Sequence, residues 1–267
     1  MGFDLSKKKA FVCDLDGTLF MGAKPIVPAV DFVVRNTLNG RFSFYYLTNN
    51  TSKTPAEYLK KLSGANIPVT PEQVLTPLIT LESYIRKNGC RNVYLLAGEA
   101  VVAHMKERLR DVNVKFGYDP GNNDLAVLAY DRELTYEKIR RLSALHNMYR
   151  TPFVATHPDN CCPSEEGPIP DVGGMLKMME ATNGMKPVEV FGKPSPSLLA
   201  PVLERFAPEE IAVVGDRLYT DKAIADNAGV DFVCVLSGET TRDDLERYQG
   251  TPPAVTVETF DRVECRD

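Results

Sequence analysis

Near its start the chain reads Ala10-Phe11-Val12-Cys13-Asp14-Leu15-Asp16-Gly17-Thr18, an apolar run that breaks into two carboxylates and a glycine. Short Val- and Phe-rich runs are the pattern of strands buried on both faces, and Asp-Gly marks a turn at the end of this one. Three further apolar runs end in the same way. Phe42 to Leu47 leads into Thr48-Asn49-Asn50, Val188 to Phe191 into Gly192-Lys193-Pro194, and Ile211 to Val214 into Gly215-Asp216, with Asp221 five residues on. Another strand is predicted over Phe232 to Leu236, and helices over Ala29 to Leu38, Pro55 to Leu62, Ser197 to Phe206 and Thr220 to Ala228. This alternation is a βαβ wind, so the fold class is α/β with a doubly wound parallel sheet. Ligands of open parallel sheets bind beyond the C-terminal strand ends, which would bring the four polar signatures to one crevice.

The middle of the chain repeats the alternation by itself: strands at Val93 to Leu96, Leu125 to Leu128 and Phe153 to Thr156, helices at Glu99 to Leu109 and Tyr136 to Asn147. A Pro- and Gly-rich loop over Pro158 to Gly174 then precedes a helix from Gly174 to Asn183. The expected organisation is a core of residues 1–80 and 185–267 with an inserted α/β domain over 81–184. Met175, Met178 and Met179 have the spacing of a core-facing helix stripe.

Composition excludes several function classes. With 267 residues, 43% of them hydrophobic, and Lys+Arg 31 against Asp+Glu 36, the chain is globular rather than disordered. A net charge of −5 without a basic stripe argues against nucleic acid as a partner, and Lys7, Lys8 and Lys9 read as a solvated strand entry. No apolar run reaches membrane-spanning length and no signal-peptide layout is present, so no membrane partner and a cytoplasmic location are expected. Six cysteines without a CxxC pair read as reduced thiols, and Cys161, Cys162 and His157 lack the second ligand pair of a zinc site.

Each polar signature alone has an ordinary structural reading as a turn or a helix entry. Together they form a chemical set of carboxylates, a hydroxyl and a lysine. Clustered carboxylates repel one another unless a hard divalent cation sits among them, and such a cation favours a phosphate ligand. The set therefore points to Mg2+ and a phosphoryl group.

Asp14 to Thr18, Thr48 to Asn50, Gly192 to Pro194 and Gly215-Asp216 through Asp221 resemble, in order, the motifs of the haloacid dehalogenase-like (HAD) phosphohydrolases. The inserted domain between the second and third motifs is similar to the type IIA, p-nitrophenyl phosphatase-like branch. The likeness extends to Ala155 through Asp159 and to Leu236-Ser237-Gly238. It implies a Rossmann-like HAD core with a cap domain, and a Mg2+-dependent phosphatase acting on a small phosphorylated metabolite through an aspartyl-phosphate. Asp14 would be the nucleophile, and Asp16 the general acid and then the general base. The metal would be held by Asp14, by the backbone carbonyl of Asp16 and by Asp216, with Asp221 orienting waters or Lys193. Thr48 and Lys193 would grip the phosphoryl oxygens, helped by backbone N–H groups near Leu15 and Asn49. Asn50 is either a phosphate contact or a helix-entry cap.

A phosphorylatable receiver has a different order of parts and about half the length, and a kinase would need a Gly-rich phosphate loop that is absent. A dehalogenase would need neither Asp16 nor a metal, and a vestigial regulator should lack a motif carboxylate. A phosphotransferase or phosphomutase would use the same residues with an alcohol in place of water. The inserted domain would choose the leaving group, with His157 and Asp159 as candidate contacts, though His157 reads first as a loop residue satisfied by backbone. Relatives commonly dimerise through the cap, so the resemblance also admits a homodimer.

Overall fold

The structure, a computed structural model, describes residues 3–162 and 167–265; residues 163–166 of the predicted loop and the Cys265 side chain lie outside it. The chain forms two compact units, one of residues 1–48, 55–75 and 193–267, the other of residues 49–54 and 76–192.

The first unit is built on a six-stranded sheet whose neighbouring strands all run parallel. Ala10–Asp14 lies between Ile211–Gly215 and Ser43–Leu47; Asp231–Val235 and Val255–Val257 continue one side and Val74–Leu75 the other. Alternate residues face opposite layers, Phe11, Cys13, Phe44, Tyr46 and Val214 on one face, Ala10, Val12, Tyr45, Leu47 and Val213 on the other. With both faces covered, the strands tolerate almost no polar residue until they end. Phe32 of helix Val27–Leu38 anchors one layer, its ring 4.7 Å from that of Phe260. The chain fills one side of Ala10–Asp14 first and the other side only after the second unit. The order of strands thus reverses beside the strand that ends in Asp14, the switch point where α/β sheets bind ligands.

The second unit carries a five-stranded parallel sheet in the order Glu189–Val190, Phe153–Ala155, Leu125–Leu128, Asn92–Leu96 and Lys115–Phe116. Helices Pro77–Asn88 and Glu99–Arg108 cover one face through Leu81, Ile85, Val101 and Met105. Tyr136–Tyr149 and Val172–Asn183 cover the other through Leu142, Leu145, Met175 and Met179, while Met178 is exposed.

The run Val188 to Phe191 does not belong to the sheet of the first unit. Its paired residues, Glu189 and Val190, lie beside Val154 and Ala155 in the second sheet. The units change over between 75 and 76 and between 192 and 193, where the sequence suggests 80 and 185, and residues 49–54 join the second unit. The helix expected over Ser197 to Phe206 is a 3-10 turn, Pro196–Leu199, followed by Ala200–Leu203; Pro201, inside the expected span, withholds the backbone donor a continuous helix would use there. Within the expected loop 158–174, Cys161–Cys162 pairs antiparallel with Ile169–Pro170, and the following helix starts at Val172 on an Asp171 cap. Among the described residues no helix is long and apolar enough to cross a membrane. Among the described residues Cys13, Cys90, Cys161 and Cys234 are free thiols.

Candidate active site

Asp14 is the last residue of the central strand, and its Oδ1 accepts a short hydrogen bond from Lys193 Nζ. The same ammonium donates to Asp221 Oδ1 at 2.7 Å, with the lysine side chain only 2% exposed. Asp221 lies in a single π-helical turn, Leu218–Lys222. Its N–H donates to Arg217 O at 3.0 Å and its Oδ2 accepts from Arg217 N at 3.1 Å, so the turn closes on itself and directs the other oxygen to Lys193. Such turns are frequent at functional sites.

Asp216, just past the neighbouring strand, is held through Oδ2, which accepts from Glu239 N at 2.7 Å, and through its carbonyl, which accepts from Thr240 N at 3.0 Å. Its Oδ1 is buried and has no hydrogen-bond partner among the described residues. Two glycines leave room for this carboxylate. A Cβ on Gly17 would fall 2.3 Å from Asp216 Oδ2 and one on Gly238 2.0 Å from it, and Gly17 has a φ of +91°. Ser237 Oγ donates to Gly17 O at 2.7 Å and ties the two close approaches together.

The electrostatics follow from burying three carboxylates. Burial pushes Asp14 well above the usual carboxylate range, Lys193 draws it back, and Asp221 and Asp216 push it up again. Burial, then Asp221, pushes Asp216 up to about 6. Burial alone would lower Lys193, but Asp14 and Asp221 more than offset it and keep the ammonium charged. Arg217 is likewise held charged against burial by Asp14 and Asp216.

Oxygen atoms of Asp14, Asp216 and Asp221 all lie within 4.8 Å of one another, a donor set that could hold a metal ion. All-oxygen donors suit a hard divalent cation, and the buried, unpartnered Oδ1 of Asp216 is an oxygen that such an ion would satisfy. Both oxygens of Asp221 already accept hydrogen bonds, from Lys193 and Arg217, so Asp14 and Asp216 are the better placed ligands.

Asp16 stands apart from this cluster by its side chain, which is 44% exposed and accepts from Lys61 Nζ at 3.0 Å. The Leu15 carbonyl accepts from Leu19 N and Phe20 N, closing the turn beyond Asp14, and Leu15 itself is buried. Thr48 is buried at the end of Ser43–Leu47, its N–H donating to Leu75 O at 3.1 Å.

The remaining candidates belong to the second unit. Asn49 Nδ2 donates to both oxygens of Asp159, at 3.1 and 3.2 Å. Asn50 Oδ1 accepts from Ser52 N at 2.9 Å and Ser52 Oγ at 2.7 Å, so this oxygen caps a turn. His157 is fully buried. Its Nδ1 is 3.0 Å from Thr156 Oγ1 and its Nε2 2.9 Å from Asp171 Oδ1, so both ring nitrogens serve the fold. His157 is thus satisfied by side chains rather than by backbone.

Sequence reasoning passed over Lys61, Arg217 and the backbone of 239–240. Arg217 follows Asp216 directly, which was signal enough; Lys61 is one of two adjacent lysines, with Lys60, on an amphipathic helix and carried none.

The Haloacid dehalogenase-like hydrolase family model matches residues 11–115, and a HAD-hydrolase-like model matches residues 190–263. The chain is 32% identical over 248 residues to an acid sugar phosphatase of Staphylococcus haemolyticus, covering 91% of each. It superposes on a 4-nitrophenylphosphatase from Thermotoga maritima with a TM-score of 0.86 and 32% identity, covering 97% of both chains. A p-nitrophenyl phosphatase from Archaeoglobus fulgidus gives a TM-score of 0.85 at 25% identity, covering 97% of this chain and 99% of that one. On this likeness along nearly its whole length, the chain belongs to the haloacid dehalogenase-like hydrolases, in their p-nitrophenyl phosphatase-like branch, and is a phosphomonoester hydrolase.

Proposed function

We propose that the enzyme is Mg2+-dependent and hydrolyses a small phosphorylated metabolite through an aspartyl-phosphate on Asp14. One observation carries this reading: Asp14, Asp216 and Asp221 converge at the strand ends of the switch point, with Lys193 bonded to two of them. Asp14 attacks phosphorus through a carboxylate oxygen as the ester P–O bond breaks, and Asp16 protonates the departing oxygen. Water then attacks the same phosphorus while Asp16 takes its proton, and the bond to Asp14 breaks to release phosphate. Lys193 opposes the rise that burial imposes on Asp14 and so favours the ionised form that a carboxylate nucleophile requires. Thr48, Lys193 and the Leu15 N–H bind the transferring oxygens. Asp14, Asp216 and the Asp16 carbonyl would hold Mg2+, with Asp221 orienting Lys193. When bound, the ion neutralises charge on the phosphoryl group and orients it.

Sugar phosphates are the first substrate class to examine, since relatives about 30% identical are named acid sugar phosphatases. The test is phosphate release from p-nitrophenyl phosphate and a panel of sugar phosphates, with Mg2+ or with a chelator. Release that requires Mg2+ is expected, with at least one sugar phosphate turned over. Release unaffected by the chelator would overturn the metal assignment.

A further inference from the structure

Lys61 lies on helix Pro55–Gly64 and has no place in the metal cluster, yet its side chain is only 16% exposed. Its ammonium is held at two points of one turn. Nζ donates to Asp16 Oδ1 at 3.0 Å, and it sits 4.3 Å from the centroid of the Phe20 ring. Phe20 is buried and closes the turn that carries Asp16: its carbonyl accepts from Gly17 N at 2.7 Å and its N–H donates to Leu15 O at 2.8 Å. The ammonium occupies Oδ1, and Oδ2 of Asp16 has no hydrogen bond among the described residues.

An ion pair to a carboxylate this exposed adds little to stability, and immobilising a lysine costs side-chain entropy. The arrangement fits a task of orientation better than one of holding the fold together. We infer that Lys61 is a positioning residue that clamps Asp16 by Oδ1 so that Oδ2 exchanges protons with the leaving group and with water. The inference rests on the proposed acid–base role of Asp16. In the first step a proton passes from Asp16 to the ester oxygen as its bond to phosphorus breaks and the bond from Asp14 forms. In the second, Asp16 recovers a proton from water as the water oxygen bonds to phosphorus and the Asp14–phosphorus bond breaks.

A misplaced acid matters most when the leaving group is basic. The experiment measures kcat/KM of the full chain with Mg2+ on p-nitrophenyl phosphate, whose phenolate leaves without help, and on phenyl phosphate, which is similar in shape but more basic on leaving. Lys61→Met and Lys61→Gln are compared with Lys61→Arg and Asp16→Asn, with melting temperatures measured alongside. Loss of the clamp should lower kcat/KM on phenyl phosphate about tenfold more than on p-nitrophenyl phosphate, a fraction of what general acid catalysis supplies. Melting should change little, and Lys61→Arg should restore most of the selective loss. Equal losses on both esters in Lys61→Met and Lys61→Gln, beside a selective loss in Asp16→Asn, would overturn the positioning role alone. Equal losses in Asp16→Asn would remove the acid reading and the inference with it.

Discussion

At the scale of single residues, the site depends on crowding charge where a side chain elsewhere would forbid it. Asp216 fits only because Gly17 and Gly238 have no Cβ. In Gly17→Ala the new methyl meets the carboxylate, and the left-handed φ of +91° is strained for any L side chain. Gly238→Ala introduces the same clash without a φ in that region. Both variants should weaken apparent Mg2+ affinity by about 10- to 100-fold, the usual cost of disturbing groups that orient a metal ligand. Mg2+ titration of hydrolysis reads this directly, and unchanged half-saturation in both would dissociate Asp216 from the metal. The turn at Gly17 was legible in the sequence, because Asp-Gly after an apolar run has few other readings. Its second task was not, since the carboxylate it accommodates lies far along the chain and only the sheet order brings the two together.

At the scale of elements, alternation decides what packs. Both sheets are parallel and covered on both faces, so nearly every central-strand residue is buried and the apolar runs stand out in the sequence. The strands Val74–Leu75, Val255–Val257 and Lys115–Phe116 did not stand out, being too short to establish a period. Nor did the π-helical turn at Leu218–Lys222, which differs from an ordinary helix entry only in its hydrogen bonding. Leu142, fully buried on helix Tyr136–Tyr149, shows what the packing of the second sheet is worth. Leu142→Ala should cost about 2–5 kcal/mol in denaturant unfolding, the range for truncating a buried leucine. A cost below about 1 kcal/mol would mean that the helix is not fixed by this face.

At the scale of the molecule, the chain passes between its two units within the motifs themselves, after Thr48 and after Gly192. Thr48 stays with its own sheet through Leu75 O, while the next residue, Asn49, bonds to Asp159 in the second unit. Sequence alone presents Thr48-Asn49-Asn50 and Gly192-Lys193-Pro194 as undivided motifs, because hydropathy cannot tell which sheet a strand end will join. The same ambiguity placed Val188 to Phe191 in the wrong sheet, although Lys193 beyond it still meets Asp14. What composition and motif order did convey was the α/β class and the carboxylate and lysine set, since both follow from which residue types end buried strands. The most direct measurement is Mg2+-supported hydrolysis of p-nitrophenyl phosphate by Asp14→Asn beside the parent enzyme, with both shown to be folded. Loss of turnover to background is the result that a nucleophilic Asp14 requires; substantial turnover in the folded variant would contradict it.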